Sequence, residues 1–161
     1  MVIDAERGLT LLHSAAYYGK IKPMRALVER FHADKRAQDY QGQTPLHIAT
    51  LAGNLEACVY LTEKLRKHNV QAKDYNLMTA LMNCVVSNSE HAFIYLYFKG
   101  KSNLSHVDSN GNTLLHLAAE HNATNIARIL KHLFEIEVKE EIFNSSIEKI
   151  NQIRTHSIAL H

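Results

Sequence analysis

The chain has little cysteine: two residues, Cys58 and Cys84, each inside an apolar helical pattern. Two thiols exclude a disulfide scaffold and a four-cysteine zinc site, and they fit a reducing compartment. No window holds 18 consecutive apolar residues, so no segment reads as membrane-spanning. The opening Met1-Val2-Ile3-Asp4-Ala5-Glu6-Arg7 lacks the apolar stretch of a secretory signal. An excess of charge of one sign is also missing. Eighteen Lys and Arg face 16 Asp and Glu, a formal net charge of +2, which makes no electrostatic case for nucleic acid. Tryptophan is absent, and glycine and proline number six and two. With 46% hydrophobic and 21% charged residues, the 161-residue chain can build a core, as one domain or as a short array of repeats.

What the sequence does have is an internal period. Gly8–His13, Gly42–His47, Leu77–Met82 and Gly111–His116 align on threonines 10, 44, 79 and 113, in steps of 34, 35 and 34 residues. Asp39, Asp74 and Asp108 precede three of these threonines by five positions, and Ala5 stands there in the first unit. Small residues follow: Ala15 and Ala16, Ala49, Cys84, Ala118 and Ala119. Nine residues past each Thr comes Gly19, Gly53, Asn88 or Asn122. Each feature has a mechanism. The Thr hydroxyl caps a helix N-terminus, and Pro45 sits just inside the start, where its missing N–H is harmless. Gly and Asn tolerate the left-handed backbone that ends a helix, and the Asp-initiated segment is a turn. Each unit therefore reads as turn, helix, turn, helix.

These units resemble the ankyrin repeat, with its Thr-Pro-Leu-His-x-Ala signature complete in Thr44-Pro45-Leu46-His47-Ile48-Ala49. The resemblance covers roughly residues 5–134. It implies an all-α solenoid of stacked helix-turn-helix units with β-turn or hairpin loops. The expected division is 1–38, 39–73, 74–107 and 108–134 for four repeats, and 135–161 for a C-terminal insertion or helix. In the third repeat Leu77 replaces the turn glycine and Met82 the histidine, which should weaken that turn.

The fourth repeat ends in an apolar stretch that needs a cover. Residues 135–155 are the candidate, a helix bearing Ile142, Phe143, Ile147, Ile150 and Ile153 after the charged run Lys139-Glu140-Glu141. The closing Leu160-His161 echoes Leu115-His116, and reads as the start of a fifth repeat or as a chance match in a capping tail.

Eleven histidines raise metal and catalytic chemistry, but their spacings bring no ligand set together. The resemblance makes His13, His47 and His116 structural hydrogen-bonders that brace the inter-repeat turns. No nucleophile motif and no phosphate-cradling glycine loop occurs, so no cofactor, metal or catalytic residue is expected in this chain. Cys58 and Cys84 read as packing residues.

What remains is surface. In an ankyrin array, turn tips and the exposed sides of the first helices line a concave groove. The turn-tip residues are Glu6, Arg7 and Leu9; Tyr40, Gln41 and Gln43; Tyr75, Asn76 and Met78; and Ser109, Asn110 and Asn112. The helix ends add Tyr17, Tyr18, Leu51, Val86, Ser87, Glu120 and His121. Tyr40 and Tyr75 hold the same position in adjoining repeats and are expected to stack along one edge, as interface tyrosines do. Tyr60, Tyr95 and Tyr97 read as core or convex packing. The resemblance implies a protein-interaction module that takes a peptide or loop, monomeric or weakly self-associating, with no nucleic acid and no membrane contact from this segment. It implies a cytoplasmic or nuclear place, or the cytosolic face of a membrane protein. The alternative is the recruiting domain of a larger enzyme, such as a kinase or a DHHC-type protein palmitoyltransferase.

Overall fold

The computed structural model describes the backbone of residues 2–159. Two compact units divide it, residues 1–126 and 127–161. The first unit opens with an antiparallel hairpin, β1 (Val2–Asp4) and β2 (Leu9–Thr10). Helix pairs follow: α1 (Leu11–Tyr17) with α2 (Ile21–Arg25), α3 (Pro45–Leu51) with α4 (Leu55–Lys64), and α6 (Ala80–Val86) with α7 (Glu90–Phe98). A short α5 (Lys67–Val70) follows α4, and α8 (Leu114–Glu120) precedes α9 (Thr124–Ala159). The fold is all-α apart from the short hairpin.

The first helices form one row, α1 on α3, α3 on α6 and α6 on α8, while α2 packs on α4 and α4 on α7. Small side chains permit the close approach: Ala16, Ala49 and Cys84 are fully buried in the first row. Leu12, Leu46 and Leu81, one position before the signature histidine or its Met82 counterpart, are each 1% exposed. The second row buries Met24, Cys58, Leu61, Phe93 and Leu96. Burial pushes the Cys58 thiol up to about 12 and Cys84 well above its ordinary value, so both are inert packing groups rather than nucleophiles.

Each first helix starts on its threonine. Thr10, Thr44, Thr79 and Thr113 have extended backbones, and each hydroxyl accepts the backbone N–H three residues on. Asn88 and Asn122 take positive φ, 52° and 53°, where the glycines of the first two repeats stand.

One local feature differs from the sequence expectation. In the first repeat the turn carboxylate comes from Asp4, one position before Ala5; its Oδ1 accepts the N–H groups of Glu6 (3.0 Å) and Arg7 (3.1 Å). The irregular register between Val2 and Asp4 makes room for that offset. The third turn keeps its bonds, with Asp74 N–H on the Met78 carbonyl (2.9 Å) and Leu77 N–H on the Asp74 carbonyl (3.0 Å). Leu77 holds this turn at φ 59°, a left-handed conformation that costs a branched side chain about 1–2 kcal/mol. Leu77 is 43% exposed and loses little packing when trimmed. Leu77→Gly is therefore expected to raise stability by about 0.5–1 kcal/mol, after the entropy of a freer unfolded chain is set against the relieved strain. Urea unfolding checks it; a destabilised variant would show that the leucine side chain matters more than its backbone.

The second helix of the fourth repeat does not stop near residue 134. It continues as one 36-residue helix, Thr124–Ala159. No Gly or Pro follows Gly111, and the Lys139-Glu140-Glu141 run is made of good helix formers, so nothing breaks it. Ile147 and Ile150 on this helix are 40% and 55% exposed. The side chains of Ile142, Phe143 and Ile153, and the closing Leu160 and His161, lie outside the described residues.

Candidate functional site

The turns are built first by aspartate. Asp39 Oδ1 accepts the N–H groups of Gln41 (2.9 Å) and Gln43 (2.8 Å). Asp74 does the same for Asn76 and Met78, both at 2.9 Å, and Asp108 for Asn110 (2.9 Å) and Asn112 (2.8 Å). With the carboxylate folded inward, the next side chain projects outward. The tips are then tied to one another. Tyr40 N–H donates to the Arg7 carbonyl (2.9 Å), Tyr75 N–H to Gln41 (3.0 Å), and Ser109 N–H to Asn76 (2.9 Å).

Tyr40 and Tyr75 do not stack on one another. Each ring lies over the glycine of the preceding turn: a Cβ at Gly8 would fall 2.6 Å from Tyr40 Cδ1, and one at Gly42 the same distance from Tyr75 Cδ1. A repeat step separates the two rings, and the glycine surface between consecutive tips is where a flat ring fits. The third step confirms the logic by its opposite. Leu77 takes the glycine position where the following turn presents Ser109 instead of a ring.

The histidines brace this row from behind. In the first repeat Thr10 N–H and hydroxyl both reach His13 Nδ1, at 3.1 and 2.8 Å, and His13 Nε2 donates to the Gln43 carbonyl at 2.9 Å. His47 repeats the pattern with Thr44 and the Met78 carbonyl (3.0 Å). Only the neutral ring with its proton on Nε2 satisfies both sides. Burial, opposed by the bonds to Gln43 and to Met78, holds both rings below the ordinary histidine range. His116 makes the threonine contacts alone (2.8 Å from Thr113 Oγ1), and it is exposed. Among the described residues no cluster of three or more His, Cys, Asp or Glu could hold a metal ion.

The expected binding residues divide along the array. Tyr17, Tyr18, Tyr40, Gln41 and Gln43 line one concave cavity of about 790 Å³ across the first two repeats. Tyr17, Tyr18 and Tyr40 are 56%, 66% and 65% exposed, and the first two meet edge-to-face with centroids 5.0 Å apart. Leu51, Tyr75, Asn76, Met78, Val86, Asn112, Glu120 and His121 lie outside this cavity. Tyr75, at 68% exposed, stands at the next tip, and Asn76, Leu51, Glu120 and His121 are also exposed. Met78, Val86 and Asn112 are half-buried, and the Asn112 amide donates to Asp108 Oδ2 (2.9 Å). Sequence reasoning missed Ile3, Asp4, Ser14 and Ile48, which also line the cavity. Ser14 and Ile48 share one repeat position, just after the signature histidine, and the period alone could have marked them.

The convex side differs. Tyr60 is 7% exposed and donates to Glu29 (3.0 Å), while Tyr97 meets Phe98 edge-on at 4.8 Å. No described helix is long and apolar enough to cross a membrane.

Comparison with known proteins follows the same repeat frame. Inversin of dog is 29% identical over 136 residues, 84% of this chain and 12% of inversin. Rabankyrin-5 of mouse is 24% identical over 157 residues, 98% of this chain and 13% of its own length. The fruit-fly protein named DNA replication inhibitor plutonium is 36% identical over 92 residues, covering 56% of this chain and 49% of itself. The chain thus spans about an eighth of the inversins it matches. The family described as ankyrin repeats (3 copies) matches residues 2–74 and again 64–141. With those two matches reaching across most of its length, the chain belongs to the ankyrin-repeat family.

Proposed function

We propose that this chain is a protein-binding module that takes an extended peptide or loop along its turn tips, anchored at the first two repeats. Ankyrin repeats in general mediate protein–protein interaction. The observation that carries the finer reading is the 790 Å³ concave cavity with three half-exposed or more tyrosine rings, Tyr17, Tyr18 and Tyr40. Tyrosine offers a rigid amphipathic contact with little rotamer entropy to lose. The rings are already positioned, Tyr40 against Gly8 and Tyr17 against Tyr18, so binding requires little reordering.

Peptides selected against the chain from a displayed random library provide the test. Tyr40→Ala is expected to weaken the selected binders about thirtyfold, near 2 kcal/mol, as a hot-spot truncation does. Tyr40→Phe should retain most of the affinity, since the ring and its seat on Gly8 remain. Binders indifferent to Tyr40→Ala and Tyr75→Ala together would place recognition elsewhere.

The length of the relatives favours a second reading. The matched segment is 12% of inversin and 13% of rabankyrin-5. In a larger protein of that kind the same groove would recruit a substrate or regulator for an activity carried elsewhere, as in a kinase or a DHHC-type protein palmitoyltransferase. Acyl- or phosphoryl-transfer assays on residues 1–161 alone should then give no turnover.

A further inference from the structure

Away from the concave groove, a second cavity of about 570 Å³ opens between the segments that leave the second helices of the first two repeats. Its first wall is the loop 32–36, which follows a π-helical turn, Ala26–Arg30, at the end of α2. Its second wall comprises residues 64–66 with His68 and Asn69, from the end of α4 into α5. Apart from Ala33 and Leu65 the lining is polar, and it carries Lys35, Arg36, Lys64 and Arg66 against one carboxylate, Asp34.

The magnitudes separate this feature from an ordinary solvated surface. These ten residues hold a formal charge of +3, while the whole chain holds +2, so the rest of the molecule is slightly acidic. The neighbouring carboxylates are already engaged. Asp34 Oδ1 accepts the Arg36 N–H (2.9 Å) and lies 3.5 Å from Arg36 Nε. Glu29, just outside the lining, takes Lys64 Nζ at 3.3 Å and the Tyr60 hydroxyl at 3.0 Å. Among the described residues, Lys35 and Arg66 therefore have no carboxylate partner, and Lys35 is half-buried. Like charges gathered in a concave surface focus a positive potential that an anion relieves.

We infer that this cavity binds a compact polyphosphorylated ligand, several phosphomonoesters carried on one small ring. The volume lies in the range of small-ligand sites. Cations on both walls match several phosphates held close together rather than one. Lys35 and Arg66, the two cations without a carboxylate partner among the described residues, stand on opposite walls, Arg66 as a planar fork for phosphate oxygens and Lys35 as a point charge, with Arg36 and Lys64 beside them already paired to Asp34 and Glu29. His32 and His68 add ring N–H donors at the same walls. Such chemistry comes from a free inositol polyphosphate or from a phosphoinositide headgroup.

Calorimetric titration with inositol hexakisphosphate at physiological ionic strength tests the site, beside flotation on phosphatidylcholine vesicles with and without phosphatidylinositol bisphosphate. Saturable binding is expected, weakened about tenfold or more in the double variant Lys35→Gln, Arg66→Gln, and unchanged in Tyr40→Ala. Both substituted side chains lie outside the core, and helical circular dichroism verifies that the array is intact. Binding of the free probe without vesicle recruitment supports the site and assigns a soluble ligand; recruitment only by the bisphosphate lipid supports it and assigns a headgroup. No saturable binding in either arm, or equal affinity in the double variant, overturns it.

Discussion

His47→Ala is expected to destabilise the protein by about 3 kcal/mol or more, and His116→Ala by about 1 kcal/mol or less. The two histidines occupy the same repeat position, so the difference isolates the environment. His47 is buried, and its removal leaves the Thr44 N–H without a partner and takes one bond each from the Thr44 hydroxyl, which keeps the residue-47 N–H, and the Met78 carbonyl, which keeps the Asp74 N–H. A buried donor abandoned away from water costs about 1–3 kcal/mol, and each bond lost from a group that keeps another partner about 0.5–1.5 kcal/mol. At His116 water reaches the same threonine groups. The third repeat shows the motif without a ring: with Met82 in the histidine position, the Thr79 hydroxyl accepts the Met82 N–H (3.3 Å) and meets no imidazole. Urea denaturation of both variants decides the matter, and equal losses would show that the bonds contribute little. The same burial sets a pH dependence. The His47 pKa is lowered in the fold, so the unfolded chain binds the proton more readily. This histidine's contribution is therefore full above the unfolded value of about 6.5 and is lost as pH falls below it toward the folded value.

Gly42→Ala should cost about 2–3 kcal/mol, from left-handed strain at φ 77° combined with displacement of the Tyr75 ring. The two contributions separate in a double-mutant cycle. In a Tyr75→Ser background the new methyl meets no ring, and only the strain of about 1–2 kcal/mol is expected. Gly111→Ala provides the internal control, because nothing lies within 4 Å of its Cβ position. Additive effects of Gly42→Ala and Tyr75→Ser would show that ring and glycine do not interact energetically.

Most of the helix plan was legible because capping chemistry is local. A threonine, a proline at the first helical position and a small residue about a turn and a half on act within one repeat, and the 34-residue phase places them. The tyrosine seats were not legible, since a period says which positions are equivalent but not which neighbour each one faces. Tyr40 and Tyr75 were therefore expected to meet each other, when each meets a backbone one repeat back. The offset of Asp4 was hidden by the irregular strand register, which no spacing rule encodes. The continuous helix past residue 134 was obscured because the charged run was read as the start of a separate element, when nothing between Thr124 and Ala159 stops a helix. Of the candidate groove residues, the tyrosines and glutamines of the first two repeats share one cavity. The remainder are strung along later tips, where a single sequence cannot weigh one repeat against another.

The pairing of glycine with tyrosine, and of Leu77 with Ser109, also governs how such an array can lengthen. Copied in tandem, residues 39–73 would set the new Tyr40 ring over the old Gly42, and the joint would close. Copied in tandem, residues 74–107 would press a second Tyr75 onto Leu77, whose Cβ fills the ring's seat. The second repeat is thus a unit that duplication can propagate. The third is a terminus to that growth, compatible only with a successor bearing a small residue at its tip.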